Sequence, residues 1–264
     1  MKIKVLGIPF DANSSFLRGP YLAPSRIRLM ATEGSANNYS EEGKEILAGR
    51  DYQDLGDLSF ASQNSQKAYQ QIKAAISKAI ADGSKLLSLG GDHSIAYPVI
   101  EAHALKHGPL HVLQLDAHGD LYENFEDNSY SHASPFARLL EKGLLQSLTQ
   151  VGIRSLTQHQ REQAAKYKVN IIEMKDFTMD FISALEGPLY ISLDIDVLDP
   201  AFAPGISHYE PGGMSSRQLL DILLAIKLPI IGADIVEYNP IRDYHDMTAM
   251  LAFKLMKELI AKMA

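Results

Sequence analysis

The chain has 264 residues and a mass of 29.1 kDa, and its 25 Lys and Arg against 32 Asp and Glu give a formal charge of −7. This length fits one large α/β domain or two small ones, and 46% hydrophobic with 22% charged residues is the composition of a globular chain, which excludes disordered and collagen-like classes. A pI near 5.7 without a basic run offers no binding surface to nucleic acid or to an anionic membrane.

Short runs rich in aliphatic and β-branched residues predict eight β-strands. They lie near residues 3–9, 51–56, 85–90, 110–116, 147–153, 169–174, 189–196 and 230–237. Segments of helical periodicity alternate with them and predict helices that include residues 65–81, 95–106, 135–142, 158–167, 216–226 and 247–263. This alternation is typical of a parallel sheet covered by helices on both faces, so we expect one α/β domain over residues 1–264.

The ends and the least regular part of the chain add two expectations. The first strand follows Met1 almost directly, without a signal-peptide pattern, and no apolar stretch reaches the roughly 18 residues that a membrane span requires. These features predict a cytoplasmic protein with no membrane partner. Residues 32–50 are rich in Gly, Ser, Asn and Glu, which predicts an exposed loop.

Polar side chains follow four of the predicted strands at the point where each strand ends. The sequences there are GGDHS at 90–94, DAHGD at 116–120, DIDVLDP at 194–200 and DIVEY at 234–238. Ligands of parallel α/β sheets bind beyond the carboxyl ends of the strands, so we expect a site at this edge. Because residues two apart on an extended segment project to one side, Asp116, His118 and Asp120 can converge, and so can Asp194 and Asp196.

Together with His93, these side chains supply two imidazoles and four carboxylates. The chain has no cysteine, and a hard, oxygen-rich ligand set suits Mn²⁺ better than thiophilic metals. Six ligands exceed what one catalytic ion with an open position needs, and they suit two ions that share carboxylates and a polarised water. A lone His or Asp-x-Asp is commonly structural, but six such residues at the ends of three strands favour a metal centre.

Three of these motifs resemble those of the ureohydrolase family of arginases, agmatinases and formiminoglutamases: residues 90–94, 116–120 and 192–205 (SLDIDVLDPAFAPG). Residues 7–11 (GIPFD) and 233–240 (ADIVEYNP) extend the resemblance over nearly the whole chain. It implies a three-layer αβα fold around a parallel eight-stranded sheet and two Mn²⁺ ions per subunit. It also implies cleavage of a guanidinium C–N bond to urea and an amine, and assembly into a trimer or hexamer.

The resemblance also assigns ligands to each ion. One ion would be bound by His93, Asp116, Asp120 and Asp196, and the other by Asp116, His118, Asp194 and Asp196. In this assignment Asp116 and Asp196 bridge the two ions.

Two further residues match functional positions of the family. His132 stands where the family has its proton-shuttling histidine, which protonates the departing amine, and imidazole titrates close enough to neutral pH for that role. Glu237 matches the carboxylate that binds the planar guanidinium cation through paired hydrogen bonds. Alternatively, His132 could cap the helix that begins near Ser134, and Glu237 could be a buried ion-pair partner.

The resemblance implies a small guanidino substrate, and the identity of that substrate rests on fewer residues. Tyr122 stands where arginases carry Asn and agmatinases commonly carry Tyr, so it is a candidate for substrate binding. Where arginases place acids for the α-ammonium group, this chain has Ser155, Thr157 and Gln160. The resemblance therefore favours agmatine, with urea and putrescine as products and a role in polyamine metabolism.

Several alternatives stay open at this point. Gly119 and residues 131–134 depart from the agmatinase pattern, which leaves arginine, guanidinobutyrate and formiminoglutamate as candidate substrates of the same chemistry. The usual formiminoglutamase Arg near position 122 is absent. A non-catalytic regulatory or binding homologue is the alternative from a different class of function.

Overall fold

The computed structural model describes residues 2–264, and within them eight parallel strands form one sheet. The strands are β1 (Ile3–Gly7), β2 (Tyr52–Asp57), β3 (Lys85–Leu89), β4 (Leu110–Leu115), β5 (Leu145–Ile153), β6 (Asn170–Glu173), β7 (Leu189–Asp194) and β8 (Ile230–Val236). Their order across the sheet is β2-β1-β3-β8-β7-β4-β5-β6. All eight predicted strands are confirmed, and no strand end is shifted by more than two residues.

The described residues also form α1 (Ala23–Glu33), α2 (Ser65–Ile80), α3 (Ala96–His107), α4 (Pro135–Glu141), α5 (Gln158–Tyr167), α6 (Ser216–Ala225) and α7 (Met247–Met263). Helix α1 is not among the helices predicted from the sequence. This helix has no side-chain N-cap, and its buried face is limited to Ala23, Pro24, Ile27 and Met30. A short helix without a polar cap offers a weak sequence signal, although the proline in its first turn is compatible with a helix start.

The helices cover both faces of the sheet. On one face α1, α6 and α7 enclose a core that includes Leu113 and Ile191. On the other face α2, α3 and α4 enclose a second core that includes Leu86 and Val112. Alternate strand residues thus enter opposite cores, as the period of two requires. The expected three-layer αβα fold is confirmed.

The segment between α1 and β2 lacks regular structure, as predicted. It holds isolated bridges between Tyr39 and Glu45 and between Ala48 and Tyr52, and most of its residues are exposed. Among the described residues, no helix is both long enough and apolar enough to cross a membrane.

Candidate active site

Four neighbouring strands bring the predicted site residues to one edge of the sheet. In the sheet β3, β8, β7 and β4 are consecutive. His93 follows β3, Glu237 follows β8, Asp194 ends β7 and Asp116 follows β4. Because these strands are parallel, their carboxyl ends open at the same edge. Residues far apart in the chain therefore line one cleft.

The first ligand group surrounds Nδ1 of His93. Carboxylate oxygens lie 3.0 to 3.1 Å from that atom, and they belong to Asp116, Asp120 and Asp194. A proton on Nδ1 could bind only one of these oxygens, whereas a divalent cation between them could bind all. The His93, Asp116 and Asp194 side chains are buried and close enough to hold one ion.

The opposite nitrogen of His93 is held by a buried hydrogen-bond chain. The Ser192 hydroxyl donates to Asp234 Oδ1 (2.7 Å), and the Tyr190 hydroxyl donates to Asp234 Oδ2 (2.7 Å). Ser192 Oγ therefore accepts from Nε2–H of His93, at 2.9 Å. This arrangement directs Nδ1 toward the carboxylates, as partners of metal-binding histidines commonly do. From sequence alone we assigned no role to Ser192 or Asp234.

The second ligand group surrounds Nδ1 of His118. That atom lies 2.9 Å from Asp196 Oδ2 and 3.6 Å from Asp116 Oδ1, and these residues could hold a second ion. Asp116 contributes to both groups, since its other oxygen, Oδ2, faces His93. Asp116 would therefore be shared by both sites if two ions were bound.

The structure groups the carboxylates differently from the division of ligands that the resemblance implied. Asp194, and not Asp196, lies beside His93, while Asp196 lies beside His118. The local geometry explains the difference. Residues Ile195–Val197 form a 3-10 turn rather than an extended segment, and Asp194 Oδ1 caps it by accepting from the Asp196 N–H at 2.8 Å. Asp194 thus stays at the strand end and Asp196 projects onward.

Electrostatics at the cluster favour bound cations. Burial and the neighbouring carboxylates raise the pKa of Asp194 well above its usual value and that of Asp120 to about 6. The pKa of Asp116 is lowered instead, because hydrogen bonds and charge from His118 and His93 outweigh its burial. The raised values mean that Asp120 and Asp194 resist ionisation without further positive charge nearby. Two divalent ions would match the charge of four carboxylates, so the donor set fits a binuclear centre.

Glutamine side chains support the shared ligand from within the sheet. Gln114 Nε2 donates to Asp116 Oδ2 at 2.7 Å, and Gln150 Nε2 donates to Gln114 Oε1 at 2.6 Å. Both glutamines are fully buried. No role was predicted for either glutamine. A polar residue inside an otherwise apolar strand is nevertheless a usable signal, because buried polar groups need partners.

His132 and Glu237 lie in direct contact at the cleft. His132 Nδ1 is 2.9 Å from Glu237 Oε1, which also accepts the His93 backbone N–H at 2.8 Å. Burial by itself lowers the pKa of His132, but Glu237, together with Asp92 and Asp120, outweighs burial and raises it to about 9. The N-terminus of α4 is capped by Ser134 without a side-chain bond, so the helix-capping alternative for His132 finds no support.

The second oxygen of Glu237 is available for a ligand. Oε2 is buried and has no hydrogen-bond partner among the described residues, while Glu237 lines the cleft. The Glu237 backbone is left-handed, with φ of 63°, as is Asp120, with φ of 50°. Non-glycine residues in this region cost about 1–3 kcal/mol each and are concentrated at functional sites.

The cleft wall contains the substrate candidates. Tyr122 stacks on His159 with ring centroids 5.6 Å apart and contacts Phe125 at 4.9 Å. Ser155, Thr157 and Gln160 line the same cleft. Tyr122 therefore lies in the same cleft as Ser155, Thr157 and Gln160.

Two further residues were not found from sequence: His208, which lines the cleft, and Glu210, which lies beside His118. The His208 ring lies 5.2 Å from the His132 ring and 6.1 Å from the His118 ring. Glu210 Oε1 lies 3.6 Å from His118 Nε2, and hydrogen bonding from His118, with a contribution from Ser155, lowers the pKa of Glu210. The Glu210 carboxyl also contacts Ser155, and it belongs to a distant loop that no local pattern connects with residue 155.

Arg154 ties that loop to the metal-ligand turn. Its guanidinium donates to the backbone carbonyls of Gly152, Asp196, Val197, Leu198 and Glu210. The bonds to Asp196 (2.7 Å) and Glu210 (2.8 Å) are the shortest. The positions of the second ligand group and of Glu210 are therefore linked.

Gly91 allows the loop before His93 to lie against the end of β1. A Cβ on Gly91 would stand 1.9 Å from the Phe10 carbonyl oxygen. We expect Gly91→Ala to lower the free energy of unfolding by about 1–3 kcal/mol in urea titrations, because backbone must move to relieve the overlap. Gly187→Ala is the control, since its Cβ would make ordinary contacts of 3.4 Å or more. Equal stability of both variants would contradict this packing.

Comparisons with known proteins agree with this geometry. The model of the Arginase family matches residues 1–261. Arginase 1, mitochondrial, from Arabidopsis thaliana is 46% identical, covering 98% of this chain and 80% of the plant protein. The agmatinase of Bacillus anthracis is 32% identical, covering 98% and 91%. The solved arginase from Medicago truncatula superposes with a TM-score of 0.92 at 42% identity, covering 99% and 87%.

Proposed function

The chain belongs to the arginase family and is a hydrolase of guanidino C–N bonds, and we propose that it cleaves a linear guanidine to urea and an amine with two Mn²⁺ ions. The observation that carries this proposal is the convergence of two imidazole–carboxylate groups on a cleft that also holds a partner-free Glu237 oxygen.

The metal-binding roles follow from the two ligand groups. His93, Asp116, Asp120 and Asp194 would hold one ion, and Asp116, His118 and Asp196 would hold the other. Bound divalent ions would polarise a water and make it nucleophilic near neutral pH. The carboxylate-rich donor set supports Mn²⁺ over thiophilic metals.

Glu237 and His132 would act on the substrate itself. Glu237 Oε2, free and buried, would accept an N–H of the guanidinium and hold its plane in the cleft. His132, whose pKa is raised to about 9, would hold a proton at neutral pH and give it to the departing amine nitrogen. Their mutual contact sets the orientation of both side chains.

Arginine is the substrate that two observations favour. The Arabidopsis relative named an arginase is 46% identical, against 32% for the Bacillus protein named an agmatinase. In addition, Glu210 supplies a carboxylate beside Ser155, which could accept an α-ammonium group, while the hydroxyls of Ser155 and Thr157 could donate to an α-carboxylate. No local sequence pattern predicted that the Glu210 carboxylate would lie beside Ser155.

Agmatine, which the sequence analysis favoured, is the second candidate. Tyr122 lines the cleft, and among the described lining residues no Lys or Arg is present to pair with a substrate carboxylate. The terminal ammonium of agmatine could also bind Glu210. The preference for arginine over agmatine therefore rests on the higher identity to the arginase and on the hydroxyls of Ser155 and Thr157, which could receive the α-carboxylate that agmatine lacks.

Urea release from Mn²⁺-loaded protein separates the candidates. With arginine, agmatine and guanidinobutyrate at matched concentrations, we expect the highest kcat/KM for arginine. Agmatine as the preferred substrate would overturn the arginine assignment, and urea from none of these compounds would contradict the catalytic proposal.

Glu210→Gln tests the recognition of the ammonium group. We expect KM to rise about tenfold for arginine or agmatine, since a hydrogen bond between charged groups contributes about 1.5–3 kcal/mol. Guanidinobutyrate has no ammonium group, so its KM is the internal control. An equal change for all three compounds would indicate that Glu210 acts only through His118.

Three expectations from the sequence stay proposals. A single domain over residues 1–264 agrees with the one sheet formed by the described residues. A homo-oligomer, trimer or hexamer, is proposed from the family resemblance, with light scattering as its test. A cytoplasmic location also stays a prediction, and the Arabidopsis relative is named a mitochondrial protein.

A further inference from the structure

The second ring nitrogen of His132 faces the segment between β1 and α1. Its Nε2 lies 2.8 Å from the Ser15 hydroxyl oxygen and 3.2 Å from the Ser15 backbone nitrogen. The other ring nitrogen, Nδ1, contacts Glu237. Nε2 is therefore the nitrogen left to exchange protons, and among the described residues its hydrogen-bond partners belong to Ser15.

We propose that Ser15 is a positioning residue that carries protons between bulk water and Nε2 of His132, so that His132 regains its acid form between turnovers. The inference rests on the proposed function, because it assigns His132 the role of proton donor to the leaving amine. Neither the sequence motifs nor the ligand groups assign a role to Ser15.

The hydroxyl suits both protonation states of the imidazole. When Nε2 is bare, it accepts from the Ser15 backbone N–H and from the hydroxyl. When Nε2 carries a proton, the backbone N–H cannot accept it, whereas the hydroxyl can turn and accept. An alanine at this position would leave the protonated form without its acceptor.

Ser15 also lies between the cleft and solvent. Ser15 is exposed, whereas the His132 side chain is only 11% exposed. Backbone hydrogen bonds hold this contact in place. The backbone N–H of His132 donates to the Asn13 carbonyl at 3.2 Å, and the backbone N–H of Asn13 donates to Asp92 Oδ2 at 2.9 Å. The hydroxyl is thus a fixed connection from a mostly buried imidazole to water.

The proton transfer balances without a further reactant. After His132 has given its proton to the amine, the Ser15 hydroxyl proton passes to Nε2, and a proton from water binds the Ser15 oxygen. One O–H bond breaks and one forms at Ser15, and His132 gains one N–H bond. The net change is one proton moved from water to His132.

Other charged groups around His132 do not replace this path. Glu237, Asp92 and Asp120 raise its pKa, and the neighbouring His208 contributes an imidazole whose own pKa burial lowers. These groups set the affinity of His132 for a proton. Among the described residues, Ser15 is the one that hydrogen-bonds Nε2.

Ser15→Ala tests the proposal in the Mn²⁺-loaded enzyme. We expect kcat to fall about tenfold with KM and metal content unchanged, and a small buffer such as imidazole at high concentration to restore kcat by delivering protons directly. In NMR titrations of the Mg²⁺-loaded protein, the pKa of His132 should fall by about one pH unit, because the charged ring loses an acceptor.

Two controls separate this role from a structural one. Ser15→Thr keeps the hydroxyl and should keep wild-type kcat and the wild-type His132 pKa. Ser14→Ala removes a neighbouring hydroxyl that donates to the Leu17 carbonyl, and it should change neither quantity.

The outcomes decide between the proposals. Unchanged kcat and His132 pKa in Ser15→Ala, or a loss of kcat that added buffer does not restore, would overturn the relay. If the wild-type protein releases no urea from any guanidine tested, the proposed function fails, and the His132 pKa still reports whether Ser15 supports the protonated ring.

Discussion

Asp116→Asn is expected to remove at least one metal ion per subunit and to lower kcat by at least about 10³-fold, because a catalytic metal contributes several kcal/mol of transition-state stabilisation. The reason lies in the geometry: one Asp116 oxygen faces His93 and the other faces His118. An amide offers one neutral oxygen and cannot bridge two cations. Metal analysis after dialysis and urea release measure the two effects.

Asp199→Asn is the matched control. Asp199 stands in the same motif, but its carboxylate accepts the backbone N–H groups of Ala201, Gly212 and Gly213 instead of facing the cleft. The Asp199→Asn variant should therefore keep two metal ions per subunit. Mn²⁺ should also raise the Tm of the wild-type protein and raise that of Asp116→Asn less. Full metal content in Asp116→Asn would contradict the bridging position.

His132→Ala is expected to lower kcat by about 10²–10⁴-fold, the usual contribution of general acid catalysis, with metal content unchanged. His132 contacts Glu237 and Ser15 and belongs to neither ligand group. His132→Asn should lose as much, because its amide can bind Glu237 but cannot carry a titrating proton. Steady-state urea release, together with metal analysis, checks both variants.

His107→Ala controls for the loss of an imidazole elsewhere, since His107 is exposed at the end of α3, and it should retain activity. Loss of metal from His132→Ala would show instead that the ring supports the ligand groups. Near-normal turnover in His132→Asn would exclude proton donation by this residue.

The pH dependence follows from the same residue. Because Glu237 raises the pKa of His132 to about 9, the acid form predominates at neutral pH, and kcat should fall as pH rises through that value. Glu237→Gln removes the carboxylate, so the descending limb should shift to lower pH. A descending limb that stays in place would mean that another group donates the proton.

Much of the fold was accessible from sequence because its signals are local. The apolar runs of β4 and β7, each ending in an acid, indicated strands buried on both faces with a site at their ends. Helix α1 was missed because it lacks a side-chain cap and buries only part of one face. Its stability comes from packing, which local patterns do not record.

The motifs by themselves determined which chemical groups the site contains. The sequence supplies two imidazoles and four carboxylates, whose donor atoms suit hard cations. It also supplies His132 and Glu237, and the Glu237 carboxylate suits a planar guanidinium. Only the tertiary structure placed Asp194 beside His93 and Asp196 beside His118, because the 3-10 turn at Ile195–Val197 replaces an extended segment. It alone placed Glu210 beside Ser155 and Ser15 beside His132. Those contacts join loops distant in the chain, and the order of parallel strands, not spacing along the sequence, determines which loops meet.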